Sequence, residues 1–273
     1  MTRRNVAAWG GPAVLVVAAL VPDLRPAAAV ALLAGWAMLM AARPAARSGA
    51  ATVVAWAAAL PLGLALTWPW ILGGEVPLGE AACADPLSVI ALRRLALAVV
   101  ILAVVAGLSI VHSSSAAELG LRRPNRLEAT LAISGFVVLV VGGLVVGPVI
   151  ARPFFGPLSF AIPPAAIVPA LVFGVANGVL EEVLYRGVLQ AWIARFAPIG
   201  IAIALQGLVF GIVHAGPEVQ ALLPVHIALL AAVGIAGGLV RRRTGSLAIP
   251  IGIHVGADVA LYFGLACRPA LGA

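Results

Sequence analysis

The chain has 273 residues, of which 63% are hydrophobic and only 10% are charged, and its mean hydropathy is +1.14. A soluble domain is about half apolar and about a quarter charged, so this composition excludes that class and indicates a polytopic membrane protein. The net charge of +7 does not indicate nucleic-acid binding, because the basic residues are scattered between apolar runs, where they orient spans.

We predict an all-α fold, a polytopic transmembrane helical bundle of about eight or nine spans. A span needs about 20 apolar residues, and about 17 are tolerated. The first two candidates are short and can form a shallow hairpin, which would leave eight spans. The candidate spans are residues 7–22, 27–42, 50–73, 90–111, 129–150, 165–192, 198–214, 219–240 and 247–266.

The first apolar run follows a basic start, MTRR, so a secretory signal peptide is an alternative to a first span. The nearest small-residue cleavage site, around Ala27–Ala29, would cut into the next apolar run. A retained first span is therefore expected.

Arginine placement predicts the orientation, because cytoplasmic segments carry an excess of basic residues. The acidic segment 75–87 has no arginine, as expected of an outer loop. We therefore expect an integral membrane protein of a prokaryotic cell membrane with a cytoplasmic N-terminus. The predicted inner segments hold Arg3, Arg4, Arg43, Arg47, Arg122, Arg123, Arg126, Arg195, Arg241, Arg242 and Arg243. The predicted outer segments hold Arg25, Arg152 and Arg268.

Three regions follow from the distribution of polar residues. Residues 1–112 form an N-terminal transmembrane bundle of unclear role, residues 113–128 a polar connector at the inner surface, and residues 129–273 a C-terminal bundle. Cys83 and Cys267 both fall on the predicted outer side. A disulfide between them and two unpaired thiols are both compatible with the sequence.

Ionisable residues inside spans are the strongest functional signal. Each costs at least about 2.5–3.5 kcal/mol on insertion scales, and such residues usually serve a function. In the C-terminal half they form the motifs E-E-x-x-x-R, F-x-x-x-H and H-x-x-x-D. The residues are Glu181, Glu182 and Arg186, then Phe210 and His214, then His254 and Asp258.

Helical spacing predicts which of these side chains meet. Residues four apart share a helix face, so Glu182 can pair with Arg186, and His254 lies beside Asp258.

The turn at RFAPIG predicts a further contact, between Glu181 and His214. Two antiparallel helices joined there place residues whose numbers sum to about 395 at one level, and this pair satisfies that relation. Asn177 lies one turn from Glu181 on the same face. The second turn, at residues 241–246, brings His254 to a similar depth, one or two turns nearer the inner face.

This constellation suits hydrolysis. A buried carboxylate opposite a histidine can hold and deprotonate water, which makes Glu181 the candidate general base with His214 assisting. A second histidine, His254, can donate a hydrogen bond to the oxyanion formed at a carbonyl. The pair Glu182–Arg186 would hold the helix and keep the two acids distinct in role.

Each motif also has a structural interpretation on its own. A Glu–Arg pair can simply hold helices together, and an isolated histidine can be an interhelical hydrogen-bonding group. His254 with Asp258 could relay protons in a transporter. Three further residues receive no catalytic role: His112, His226 and Phe210.

The three motifs in this order resemble the CPBP intramembrane proteases, which include the type II CAAX prenyl endopeptidases and bacteriocin-processing or immunity proteins. The similarity covers about residues 165–266 as the catalytic core. The flanking phrases ELGLRRP at 118–124 and RRRTGSLAIPIGIH at 241–254 also resemble the family. The resemblance implies a helical membrane fold and endopeptidase activity near a carboxyl terminus or a leader junction.

By position, the resemblance implies that Glu181 is the water-activating base and that His214 assists it. It implies that His254 and residue 258 stabilise the oxyanion, with Glu182 and Arg186 supporting the site. The implied partners are a membrane-associated protein or peptide substrate and the lipid bilayer, with no nucleic acid.

The last motif of that family ends in Asn or Asp, and position 258 departs from its better-studied members, which have Asn where this chain has Asp258. An ionised Asp cannot donate to an oxyanion, so it is either protonated, or it orients His254, or the site is used differently. A divalent metal such as zinc is a second option, since zinc accepts all these ligands. The zincin signature H-E-x-x-H is absent, and a site without a catalytic metal is favoured. The candidate ligands are Glu181, His214, His254 and Asp258.

Three functions are therefore compared. An intramembrane endopeptidase accounts for all three motifs together. A non-proteolytic relative acting by binding, in bacteriocin immunity or as a scaffold, would not need them. A proton-coupled transporter usually has repeated halves, and the halves of this chain do not look alike.

Overall fold

The computed structural model describes residues 3–42, 50–72, 80–85, 88–155, 162–214 and 222–267. All secondary-structure elements in these ranges are helical. They are α1 (Arg3–Leu20), α2 (Arg25–Ala41), α3 (Ala50–Leu72), α4 (Glu80–Ala84), α5 (Val89–Val111), α6 (Arg126–Phe155), α7 (Ile167–Glu181), α8 (Gln190–Ala194), α9 (Ile199–Val213), α10 (Leu223–Thr244) and α11 (Ala248–Leu261). Short 3₁₀ turns, Pro22–Leu24 and Pro164–Ala166, precede α2 and α7. π-Helical segments, Glu182–Leu189 and Tyr262–Ala266, follow α7 and α11.

The helices confirm the all-α class and an integral membrane protein. Within the described ranges, five helical stretches are long and apolar enough to cross a membrane: Val89–Val111, Arg126–Phe154, Pro164–Ala194, Leu223–Thr244 and Ala248–Ala266. Shorter apolar helices cover Arg25–Ala41, Ala51–Thr67 and Ile199–Val213. The count of eight or nine spans stays a prediction, because length and apolar composition support five crossings here.

Part of the predicted charge asymmetry falls outside the described residues. This applies to Arg43, Arg47 and Arg268, and to residues 75–79 and 86–87 of the acidic segment. The orientation of the chain therefore stays a prediction. Below, the end of the bundle that carries Arg122, Arg195 and Arg241 is called the arginine end.

Glycines allow α11 to pack closely between α6 and α7. A Cβ at Gly256 would lie 2.4 Å from the carbonyl oxygen of Phe136 on α6, which is closer than real Cβ contacts. On the other face, a Cβ at Gly178 of α7 would lie 3.0 Å from the amide nitrogen of Val255. Small residues at helix interfaces allow this approach in lipid, where packing and hydrogen bonds drive association. Side chains of α7 and α11 therefore meet across a narrow interface.

At the opposite end of the bundle, Cys83 and Cys267 form a disulfide with a Cα–Cα distance of 5.2 Å. The hydroxyl of Tyr262 donates to the carbonyl oxygen of Cys83 at 2.9 Å and accepts from Ser88 Oγ at 2.7 Å. The sequence left the pairing of these cysteines open, and the structure shows that they are bonded. Below, the end of the bundle that carries this disulfide is called the disulfide end.

The polar connector lies against the arginine end of the bundle, beside α8, α10 and α11. The carboxylate of Glu118 accepts hydrogen bonds from Arg195, at 2.8 Å from Nε and 2.9 Å from Nη2. Arg241 donates to the backbone carbonyl of Glu118, and the amide of Leu247 donates to the carbonyl of Gly120 at 3.0 Å. The connector therefore ties the segment after α8 to the end of α10 and to the start of α11.

The Glu118–Arg195 pair is expected to make stability depend on pH. The hydrogen bond from Arg195 holds the pKa of Glu118 below its usual range. A carboxyl whose pKa is depressed by folding stabilises above its unfolded pKa, and this contribution is lost as pH falls through the folded pKa. We expect Glu118→Gln to lower stability by roughly 0.2–1 kcal/mol at pH 7, since the pair is partly exposed.

Unfolding of the detergent-solubilised protein, measured at pH 7 and below about pH 3, checks this. The difference between Glu118→Gln and the wild type should shrink at the acidic pH. A difference that is constant across this range would contradict the assignment.

Candidate active site

The two neighbouring acids lie where the helix changes its hydrogen bonding. Glu181 is the last residue of α7, and Glu182 is the first residue of the eight-residue π-helical segment. Such segments are rare and are frequent at functional sites. The apolar spacing of LEEVLYRG predicts an ordinary α-helix, so sequence reasoning missed this feature.

Two histidines are each fixed through one ring nitrogen. His214 ends α9, and its Nδ1 lies 2.6 Å from the carbonyl oxygen of Phe210. A carbonyl can only accept, so Nδ1 carries the proton. The Nδ1 of His254 lies 2.8 Å from Oε1 of Glu182. Because this carboxylate is also paired with a guanidinium, we assign the proton to Nδ1 here as well.

Both histidines then direct Nε2 at one carboxylate oxygen. Glu181 Oε2 lies 3.4 Å from Nε2 of His214 and 3.6 Å from Nε2 of His254. This oxygen is buried and has no hydrogen-bond partner among the described residues. With both Nδ1 atoms protonated, this oxygen and the two Nε2 atoms are all hydrogen-bond acceptors, so a proton or a donor group has to lie between them. A water molecule can supply the donor.

Exposure and pairing distinguish the two acids. The Glu182 side chain is 3% exposed, and its Oε1 lies 3.1 Å from Nη1 of Arg186. The Glu181 side chain is 12% exposed, and its neighbour His214 is 31% exposed. Glu182 is therefore enclosed by an arginine and a histidine, whereas Glu181 faces the open side of the cluster.

The ring of Phe210 packs against several of these polar side chains. The guanidinium carbon of Arg186 lies 4.1 Å from the centroid of its ring, a cation–π contact. The ring of His214 lies 4.5 Å away and that of His254 6.0 Å away. The sequence assigned Phe210 to packing, and the structure shows that what it packs against is the site itself.

Asp258 contacts an amide instead of facing Glu181 directly. Asn177 Nδ2 donates to Asp258 Oδ2 at 2.9 Å, and that oxygen lies 3.6 Å from Nε2 of His254. Asn177 Nδ2 carries two hydrogens, so one remains for another acceptor. An amide group is thus supplied from α7, beside Asp258.

The arrangement does not fit a metal site by ligand geometry. Within the part of the chain that the structure describes, no group of three His, Cys, Asp or Glu side chains has an arrangement that could hold a metal ion. The protein acceptors held by Nδ1 of both histidines do not bear on this question, because metal-bound histidines also donate their second ring N–H to such acceptors. We therefore derive no reaction step through a metal.

Most contacts predicted from the sequence occur, and the one difference concerns the depth of His254 in the bundle. The predicted proximity of Glu181 to His214 is present, as is the Glu182–Arg186 pair. His254 was expected one or two turns nearer the inner face, but its Nε2 lies 3.6 Å from Oε2 of Glu181, where α7 and α11 approach closely. His112 and His226 instead contact aromatic rings, of Trp192 at 5.3 Å and Phe154 at 5.4 Å.

The comparison with known families covers this same region. Residues 163–260 match the family described as type II CAAX prenyl endopeptidase Rce1-like. This segment is similar to the Rce1-like family. The match confirms the resemblance to the CPBP proteases, with nearly the bounds expected from the motifs. No match to the chain was found among curated proteins or among solved structures.

The Rce1-like segment runs from the turn before α7 into α11, so it contains both acids, both histidines and Asp258. The matched family is a family of proteases, and the similarity supports a peptidase. Arg94, on α5, lies outside the matched residues.

Proposed function

We propose that the chain is an intramembrane endopeptidase in which Glu181 activates the attacking water. One observation carries the proposal: a buried carboxylate oxygen without a hydrogen-bond partner lies between the Nε2 atoms of two fixed histidines. A water bound there would contact a general base and two groups that can exchange protons.

In the proposed reaction, water attacks the carbonyl carbon of the scissile peptide bond while its proton passes to Glu181. The carbonyl oxygen becomes an oxyanion. The C–N bond then breaks, and the proton held by Glu181 passes, directly or through His214, to the leaving amine. The products are a carboxyl group and an amine, so the reaction is a hydrolysis that needs no further reactant.

Two donors can stabilise the oxyanion on the α11 side. His254, oriented by Glu182 in the way a carboxylate orients a catalytic histidine, can donate from Nε2 when protonated. The second hydrogen of Asn177 Nδ2 is the other candidate. In this proposal Asp258 orients Asn177 and His254 and makes no contact with the oxyanion.

If Asp258 has this orienting role, two substitutions at this position should lower turnover to different extents. Asp258→Asn should keep turnover within about tenfold of the wild type, because an amide can still accept from Asn177. Asp258→Leu should lower turnover by about 10²–10³, the usual loss of one oxyanion donor. Initial rates of peptide cleavage check this. Equal losses in both variants would show that the charge of Asp258 is itself required.

We also propose that the substrate is a membrane-associated protein or peptide cleaved near its carboxyl terminus. The family name specifies CAAX prenyl endopeptidases, and the site lies within helices that can span a membrane. Prenylation of the substrate is a property of the named family and is not required by the contacts described above.

A binding role in immunity or as a scaffold is the alternative. It gives no reason for a nearly buried cluster of three acids and two histidines, each expensive in a membrane. A proton-coupled transporter would use the same groups as a relay, and proton flux in liposomes that is lost in Glu181→Gln would favour it.

The decisive experiment compares N- and C-termini of membrane proteins, by mass spectrometry, in cells carrying the wild type or Glu181→Ala at equal expression. Termini that disappear in the variant and return with the wild type would support proteolysis and identify the substrate. Identical termini with a well-folded variant would refute the proposal and favour the binding role.

A further inference from the structure

Arg94 is an intramembrane cation that the proposed reaction does not use. It lies on α5, six residues into the candidate span Val89–Val111, and is half-buried. Ionisable residues at such positions usually face a cavity or a partner and mark a substrate pathway. The guanidinium lies over the ring of Phe173, with its carbon 5.6 Å from the ring centroid.

Arg94 is connected to the site along one face of α7. Phe173, Asn177 and Glu181 are spaced four residues apart, so they form a row on that face. The first contacts Arg94, the second contacts Asp258, and the third is the proposed base. The row therefore leads from the guanidinium, on the side of the disulfide end, to the reacting atoms.

The guanidinium is close to the site but makes no ion pair there. The ion pairs found in the described ranges do not include Arg94. Arg186, in contrast, is neutralised by Glu182 at 3.1 Å. The N–H groups of the Arg94 guanidinium are thus available to donate hydrogen bonds to a ligand beside this face of α7.

We propose that Arg94 binds the C-terminal carboxylate of the substrate and so selects which peptides enter the site. This inference rests on the proposed endopeptidase function. A guanidinium suits a carboxylate because it donates two parallel hydrogen bonds. The Phe173 face supports the cation from behind, and the low dielectric strengthens the attraction.

The test uses one synthetic peptide, the C-terminal sequence of a protein whose terminus depends on Glu181 in cells, made with a free carboxylate and as the amide. The wild type should cleave the acid form with the higher kcat/KM. Arg94→Gln should lower kcat/KM for the acid by on the order of tenfold to a hundredfold, mainly through KM. Turnover of the amide should be unchanged.

Two variants serve as controls. Arg94→Lys keeps the charge and should retain part of the preference for the acid. Arg93→Gln, the neighbouring substitution on α5, should retain all of it.

An Arg94→Gln variant that keeps the wild-type preference, or loses both substrates equally, overturns the inference while leaving the protease intact. Cleavage of neither form above the level of Glu181→Ala overturns the proposed function itself, and the inference with it. Loss of bound anionic lipid from Arg94→Gln, with the acid preference kept, would assign the guanidinium to a phospholipid headgroup instead.

Discussion

Glu181→Gln is expected to abolish peptide cleavage, with kcat lowered by at least about 10²–10⁴, while the protein folds as before. The amide keeps the size of the side chain but cannot accept a proton from water. Its Oε2 position lies between two histidines that are held by other groups, so their orientation should not change. Steady-state cleavage of a peptide by the purified protein in nanodiscs measures this.

Glu118→Gln is the matched control, because it makes the same chemical change in the connector and should retain full turnover. The same assay repeated with a zinc chelator tests whether cleavage needs a bound metal, and we expect activity to persist. Loss of activity that zinc restores would contradict metal-free hydrolysis and would favour a site built on Glu181, His214 and His254. Wild-type turnover by Glu181→Gln would refute its assignment as the base.

Glu182→Ala is expected to be the most destabilising substitution in the site, lowering the free energy of unfolding by about 3–5 kcal/mol. Removing one partner of a buried ion pair leaves the other charge uncompensated. Here Arg186, 1% exposed, would lose its ion-pair partner and keep its cation–π contact with the Phe210 ring. His254 would also lose the acceptor that fixes its ring. Unfolding of the detergent-solubilised protein by increasing SDS measures the loss.

Glu182→Gln separates charge from hydrogen bonding. The amide oxygen can still accept from His254, so this variant should be less destabilised than Glu182→Ala. If Glu182→Ala unfolds within about 1 kcal/mol of the wild type, the buried pair contributes little, and Arg186 has a partner other than Glu182.

Contacts within one helix or one hairpin were predictable from the sequence. The spacing of four residues gave the Glu182–Arg186 pair, and the short turn after α8 gave the common level of Glu181 and His214. Both follow from helix geometry and need no knowledge of how distant helices pack.

Contacts between distant helices were not predictable. The bond between His254 and Glu182 joins residues 72 positions apart, and it exists because glycines such as Gly178 let α7 and α11 approach. The same approach brings Asn177 to Asp258. The contact of Arg94 with Phe173 was not predictable either, because it depends on how α5 packs against α7. No periodicity in a single sequence encodes these crossings.

The disulfide between Cys83 and Cys267 makes most of the chain a closed covalent ring. It joins α4, in the N-terminal half, to the residue that follows the last π-helical segment, and the two cysteines are 184 positions apart in the sequence. The polar connector and every residue of the candidate site belong to this ring. One backbone cut inside the ring would therefore open the chain without releasing a fragment, and the N-terminal helices would remain tethered to the active site.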